Sequence, residues 1–456
     1  MEDRSELIIW LVIWVVVFAF TLLSQWNQKL PSSGLPLAYI LSLSMIHFFG
    51  GLIYAFPWYT PKSAYLLQGG GTYTQVLEGF IQSLYGILGF SVGSTILTYW
   101  LLHLWQPHWL WGNPQEPDLQ LPRGLFAVSL LFFLIVTPAI GRIPGFQGFS
   151  TSGVYLFVVS LCLSCWSNLQ QKNVRGFFGW LAVSFSLPVV TIFTQGFIGY
   201  GASATLAVLI FISSFYRPRW QVLVAGILAF VFGLSVYVTY MRDRSEIRTS
   251  VWGGESSQSR LEKITKTFSN FEIISPFNQS HLEAIDIRLN QNVLVGKGVE
   301  YIRSGQQNFA LGATILQGLL APIPRILWRD KFTFGGSGNI VSLYTGQKFG
   351  YGTSVGVGQV LEFYINFGSI GVFIGFLILG VIIRIVDILA SHNLFSGNWL
   401  GFVFWFLPGL VAIQPGGALA EITASMASSL VLMIIIRRLL GKKSSGTRVL
   451  NSMTQE

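Results

Sequence analysis

The 456-residue chain is 52% hydrophobic and only 10% charged, with a mean hydropathy of +0.58, whereas a soluble domain carries about 25% charged residues. The shortfall excludes water as the main solvent and points to lipid. The net charge of +9 is not one basic stripe: Lys and Arg fall in short turns, at the C-terminus and along one long segment, which argues against a nucleic-acid partner.

A bilayer-crossing helix needs about 20 apolar residues. The first run, 7–23, leads into Ser24–Lys29 with no small-residue cleavage site, and reads as a retained helix rather than a removed signal. Further spans are expected at 35–56, 79–104, 122–141, 150–167, 176–195, 197–215 and 219–241. Trp105, Trp109 and Trp111, flanked by His103 and His108, form an interfacial aromatic belt. Cys162 and Cys165 lie inside an apolar run, without the polar company a metal or redox site would want, and read as small inert residues. After a long loop come 358–386, 397–413 and 417–436, making about eleven spans in all. The expected fold is an all-α polytopic membrane protein. Residues 1–241 hold the first eight spans, 242–356 form the large loop, 357–437 hold the last three, and 438–456 form a tail.

Basic residues in short loops set the orientation. With the C-terminus cytoplasmic, Lys29, Arg123, Lys172, Arg175, Arg217, Arg219, Arg384, Arg437, Arg438, Lys442, Lys443 and Arg448 fall inside. Only Arg4, Lys62 and Arg142 fall in short segments outside. The N-terminus and the large loop are therefore expected to face out.

The loop holds thirteen Lys/Arg and nine Asp/Glu. Ser280-His-Leu-Glu283 has capping-box spacing, and Leu282, Ile285 and Leu289 then share a helical face. On that helix His281 and Arg288 share one side, Glu283 and Asp286 another, which suits either a solvated amphipathic helix or a general base at His281. Phe309–Ala321 is apolar but too short to cross, and reads as a re-entrant or interfacial helix stopped by Pro322 and Pro324. It delivers Arg325, Trp328, Arg329 and Lys331 to the interface, where they either hold a lipid-linked phosphate or anchor the loop to headgroups. The Gly-rich stretch Phe334–Gln359 lacks the Gly-Lys-Ser/Thr of a P-loop and is open as linker or substrate-shaping turn. Glu362 opens the next span, and a carboxylate entering a membrane segment is a functional candidate. Glu421 is expected deeper in the last span, as a chemical group or an interhelical hydrogen bond.

Pro322-Ile-Pro-Arg-Ile-Leu-Trp-Arg-Asp-Lys331, the Gly-rich turn with Ser354, and Glu362-Phe-Tyr-Ile-Asn-Phe-Gly368 resemble the bacterial O-antigen polymerases, the Wzy-type polymerases of oligosaccharide repeat units. The match covers about residues 322–371, and Phe332 stands where that family typically has Pro. The resemblance implies a membrane-embedded, GT-C-like glycosyltransferase of the bacterial inner membrane with a periplasmic loop. It would transfer a glycan from undecaprenyl pyrophosphate to another lipid-linked repeat unit. Arg325, Arg329 and Lys331 would then bind the pyrophosphate leaving group, with Tyr364 and Asn366 also on the substrate, and no metal or other cofactor. The acceptor hydroxyl needs a base, for which His281, Glu283 and Glu362 are the candidates. Partners implied are the lipid-linked donor and acceptor, membrane lipid, and a chain-length co-polymerase. A lipid-A-core ligase and a non-enzymatic flippase or transporter are the alternatives.

Overall fold

The computed structural model describes residues 4–28, 30–63, 66, 69–105, 115–136, 147–216, 219–323, 327–328, 330–331, 336–349 and 355–453. Among these residues the chain is helical without a strand. In order come α1 (Ser5–Asn27), α2 (Leu35–Ala55) and α3 (Tyr73–Ser91), the last continued through a π turn, Val92–Leu97, into Thr98–Trp105. Then follow α4 (Leu121–Leu131, with a π turn at Phe132–Val136), α5 (Gln147–Gln170), α6 (Val174–Gln195), α7 (Gly199–Phe215) and α8 (Arg219–Trp252). The loop region contributes α9 (Ser257–Ser269), α10 (Gln279–Leu289), α11 (Asn292–Arg303), α12 (Ala313–Leu320) and α13 (Ser337–Thr345). The chain closes with α14 (Gln359–Phe395), α15 (Trp399–Val411) and α16 (Leu419–Met453).

Eight of these helices are long and apolar enough to cross a membrane; α4, α7 and α15 are apolar but shorter. The protein is a helical membrane protein. His108, Trp109 and Trp111 of the expected belt, and Lys29, Arg142 and Arg217 of the charge pattern, lie outside the described residues. Cys162 and Cys165 are free and fully buried.

Small residues let the helices close up, since in lipid association rests on packing and hydrogen bonds. A Cβ at Gly89 or Gly93 of α3 would overlap the carbonyls of Phe373 and Leu377 on α14. The π turn that follows loosens the backbone ladder, and the Thr95 and Thr98 hydroxyls donate to the carbonyls of Ser91 (2.6 Å) and Gly93 (2.7 Å). Arg384 is not a surface charge of a turn, as the orientation count took it. It is fully buried and paired with Asp387 at 2.7 Å. The Asp387 carboxylate in turn accepts the N–H groups of Ser33 (2.9 Å) and Leu35 (3.2 Å) at the start of α2.

The large loop is not a separate appendage. The Gln291 N–H donates to the carbonyl of Ile46 (2.9 Å) and the Asn292 amide to that of His47 (2.7 Å), about halfway along α2. From there α11 runs back along α3, with Gly79 and Gly296 leaving room for the backbones of Asn292 and Gln75. The segment that enters the bundle is thus α10–α11. The expected apolar run 309–321 forms only the eight-residue α12, preceded by Leu311 (φ +49°) and Gly312 (φ +90°). Leu311 ahead of it and Leu316 and Leu319 on it are exposed, as an apolar helix lying at a lipid surface would have them. The Gly-rich stretch is neither linker nor simple turn: it contains α13, whose Ile340, Val341 and Tyr344 are buried. Ser354 lies outside the described residues.

Candidate functional site

Helix α14 is two helices joined at an elbow. Phe367 (φ −143°) and Gly368 (φ +65°, ψ −155°) are non-helical, and the second conformation is essentially restricted to glycine. In a straight helix Phe363 and Phe376 would stand about 20 Å apart. Their ring centroids are 5.6 Å apart. Gly371 and Gly375 leave the space Phe363 fills, so the short arm 359–366 folds back on the shaft of the helix.

Glu362 lies on that short arm and is 1% exposed. Its carboxylate accepts the N–H of Leu419, the first residue of α16, at 2.7 Å. The Thr314 hydroxyl of α12 also bonds it, and the Glu421 carboxylate is near enough to act on its charge. Asn366, one turn on and fully buried, donates to Thr314 Oγ1 and to the Glu362 carbonyl, both at 2.6 Å, and accepts the Gly312 N–H at 2.9 Å. Asn366 therefore clamps α12 to the short arm and sets the hydroxyl that faces Glu362. Glu421 is not deep in a span: α16 begins at Leu419, so Glu421 is exposed in the first turn, where it takes a hydrogen bond from Ser337 of α13 at 2.6 Å. Neither carboxylate is in an ion pair among the described residues. A buried carboxylate without a counter-charge is costly. Here four segments converge to build one.

Of the expected basic group, Arg325 and Arg329 lie outside the described residues, as does Pro324. The Lys331 ammonium donates to the carbonyls of Leu320 (3.2 Å), Ala321 (3.3 Å) and Ile323 (2.7 Å), closing the C-terminus of α12. Tyr364 falls on the side of the short arm opposite Glu362. Its ring packs near Phe309 at 6.2 Å and its hydroxyl meets Arg303, which pairs with Glu78 at 2.9 Å. Glu362, Asn366 and the helix capped by Lys331 are thus brought together, and Tyr364 looks the other way.

His281 and Glu283 are elsewhere, on α10, which packs against α2 and α8. The cap of α10 is Asn278, whose side chain accepts the Ser280 N–H at 3.0 Å, so the expected capping box at Ser280–Glu283 does not form. Glu283 instead accepts the N–H groups of Lys62 (2.7 Å) and Ser63 (3.2 Å). The Ser275 N–H donates to His281 Nδ1 (3.2 Å), which leaves Nε2 to donate to Glu272 (2.7 Å). The bonds from His281 and then Arg242 hold the Glu272 carboxyl below its ordinary value. Asp286, part of no expected site, is buried and accepts the hydroxyls of Tyr54 (3.0 Å) and Tyr59 (2.6 Å) and the Asn290 amide (2.7 Å). Burial pushes its carboxyl up, against those bonds.

Sequence reasoning missed Thr314, Ser337 and the Leu419 N–H. They come from three separate segments, and no spacing links them. A capping box does exist, at Thr72 and Gln75, where the T-x-x-Q spacing was open to reading.

The model of a domain of unknown function, DUF8712, matches residues 118–445. That is most of the chain, and the protein belongs to this family. No curated protein and no solved structure matches it.

Proposed function

We propose that this family member is a membrane-embedded glycosyltransferase that polymerises oligosaccharide repeat units carried on undecaprenyl pyrophosphate, for a cell-surface polysaccharide. The observation that carries the proposal is Glu362: buried, without a counter-ion among the described residues, at the elbow of a broken apolar helix and beside α12, which ends where the polymerase-like segment begins. An acceptor hydroxyl would attack the anomeric carbon of the donor glycan. The bond from that carbon to the pyrophosphate oxygen breaks, the pyrophosphate leaves with the electron pair, and the hydroxyl proton passes to Glu362. Thr314 and Asn366 position the carboxylate. Lys331 is committed to the carbonyls of α12, so Arg325 and Arg329 are the groups assigned to the leaving charge. In the same proposal the three shorter apolar helices also cross, giving eleven spans. The loop region then faces the periplasm and the C-terminus the cytoplasm of a bacterial inner membrane.

The test is to give purified full-length protein, in vesicles, the lipid-linked repeat units that accumulate in cells lacking it. A ladder of products longer than one unit is expected. No elongation, together with transfer of lipid-linked glycan across the membrane, would replace the proposal by a transporter. The break in α14 favours that second reading, since discontinuous helices form transporter binding sites.

A further inference from the structure

The extramembrane extension of α8 carries charge that nothing in the described structure balances. Arg244 and Arg248 stand one turn apart on the same face of α8, and Arg288, from the last turn of α10, is close enough to act, as Arg244 does, on the charge of Arg248; all three act on Tyr240, and Arg244 and Arg288 also on Tyr237. Arg248 lies between two aromatic rings, 3.9 Å from the centroid of Trp252 and 4.7 Å from that of Phe197, a geometry in which each ring face attracts the cation. Its Nε is buried and has no hydrogen-bond partner. The frame is fixed by Tyr237, which donates to the Ala284 carbonyl of α10 (3.1 Å), and by Tyr240, which donates to the Gly196 carbonyl (2.7 Å). Trp252 donates to the Gln195 carbonyl (3.2 Å). Gln195 ends α6 and Gly199 begins α7, so the cluster stands where two apolar helices turn.

The acids of the neighbourhood are committed elsewhere. Asp243 and Glu272 pair with Arg242, Glu272 also with His281, and Glu255 with Lys263. Glu283 holds the backbone of Lys62 and Ser63, and Asp286 holds two tyrosines. Glu246 projects from α8 about half a turn away from both Arg244 and Arg248. Among the described residues none of the three arginines is in an ion pair. The like charges of Arg244 and Arg288 raise the energy of the Arg248 guanidinium, and an anion with several acceptor oxygens would relieve it bidentately.

We infer that Arg244, Arg248 and Arg288 form a binding site for a phosphate group at the membrane boundary, distinct from the Glu362 site. The phosphate comes either from a lipid headgroup or from a soluble diphosphate. The site does not depend on transferase activity, so its test stands apart from that of the polymerase proposal.

Two probes distinguish the sources. Full-length protein is titrated with inorganic pyrophosphate by calorimetry at low ionic strength. Separately, it is reconstituted with phosphatidylcholine and phosphatidylglycerol, re-extracted, and its retained phosphatidylglycerol counted by mass spectrometry. Arg288→Gln, at an exposed position that does not endanger folding, and Arg244→Gln should each weaken the probe that binds by about tenfold. Arg248→Lys, which keeps the charge but loses the fork, should fall between these variants and the native protein. Arg175→Gln, an equal charge loss on an exposed residue in the first turn of α6, should change nothing. Binding of pyrophosphate but not lipid assigns the site to soluble diphosphates; retention of lipid alone assigns it to headgroups. Failure of the native protein to bind either probe, or equal binding by Arg288→Gln, Arg244→Gln and the native protein, overturns the inference.

Discussion

Helix α10 and the elbow of α14 both present buried carboxylates, yet they treat them differently. Around α10 the titratable groups are matched: Asp286 takes two tyrosine hydroxyls and an amide, Glu283 two backbone N–H groups, and His281 a carboxylate. At the elbow, Glu362 meets a single backbone N–H, a threonine hydroxyl and the field of a second carboxylate. The first arrangement is what holding a loop against a bundle requires, because an unmatched buried polar group costs stability. The second keeps a carboxylate available at a cost that packing alone does not justify. If the proposed reaction resides at the elbow, the density of titratable residues in a sequence is a poorer guide to chemistry than incomplete pairing.

The largest effect that could break this contrast is on turnover. Glu362→Gln keeps the shape and the Leu419 contact of the side chain but removes the base. It should lower elongation of lipid-linked repeat units by about a hundredfold to ten-thousandfold while the protein stays monodisperse. The corresponding change on α10 should act on stability. Asp286→Ala leaves the Tyr54 and Tyr59 hydroxyls and the Asn290 amide without their acceptor, at about 1–3 kcal/mol for each group left unsatisfied. A lower melting temperature with unaltered turnover per folded molecule is expected, and a loss of turnover at unchanged melting would erase the distinction.

The pH response sharpens it further. The folded-state pKa of Asp286 is raised by burial, so its contribution is fully present below its unfolded value, about 3.9, and is lost as pH rises through the folded value. Glu272 works in the opposite sense. Its folded value is lowered by His281 and Arg242, so its contribution is present above the unfolded value, about 4.3, and is lost as pH falls through the folded one. Asp286→Asn should remove the destabilisation on the rising side and leave the acid-side loss intact, as read from melting temperatures across the acidic range. The smallest effect is expected from Glu283→Gln, which keeps an acceptor for Lys62 and Ser63 and gives up only charge assistance, about 1.5 kcal/mol or less. Hydrogen exchange at Lys62 and Ser63 would register it.

Much of the architecture was legible because lipid imposes a single rule, that backbone groups be satisfied within each helix. Runs of apolar residues therefore marked helices from Ser5–Asn27 onwards, with ends misplaced, α8 running to Trp252 and α14 to Phe395, and with the break inside α14 unmarked. The loop was less legible. Leu282, Ile285 and Leu289 were read as one helical face, and the first two are buried and the third partly so, but nothing in their spacing indicated that the turn at Asn290–Asn292 reaches Ile46 and His47. Glu362 stood out as a carboxylate in an apolar segment. Thr314 and Leu419 did not, and Glu421 was read without any link to Glu362, because their proximity depends on the reversal at Gly368, and one glycine among many in the sequence does not announce a fold-back.

The central claim is that Glu362, not the α10 cluster, carries the reaction, and one paired measurement tests it most directly. Glu362→Gln and Asp286→Asn proteins, matched for monodisperse yield, are given the same lipid-linked repeat units and compared for the rate of elongation. The account predicts single-unit substrate left unextended by Glu362→Gln and a native ladder from Asp286→Asn; a native ladder from Glu362→Gln would contradict it.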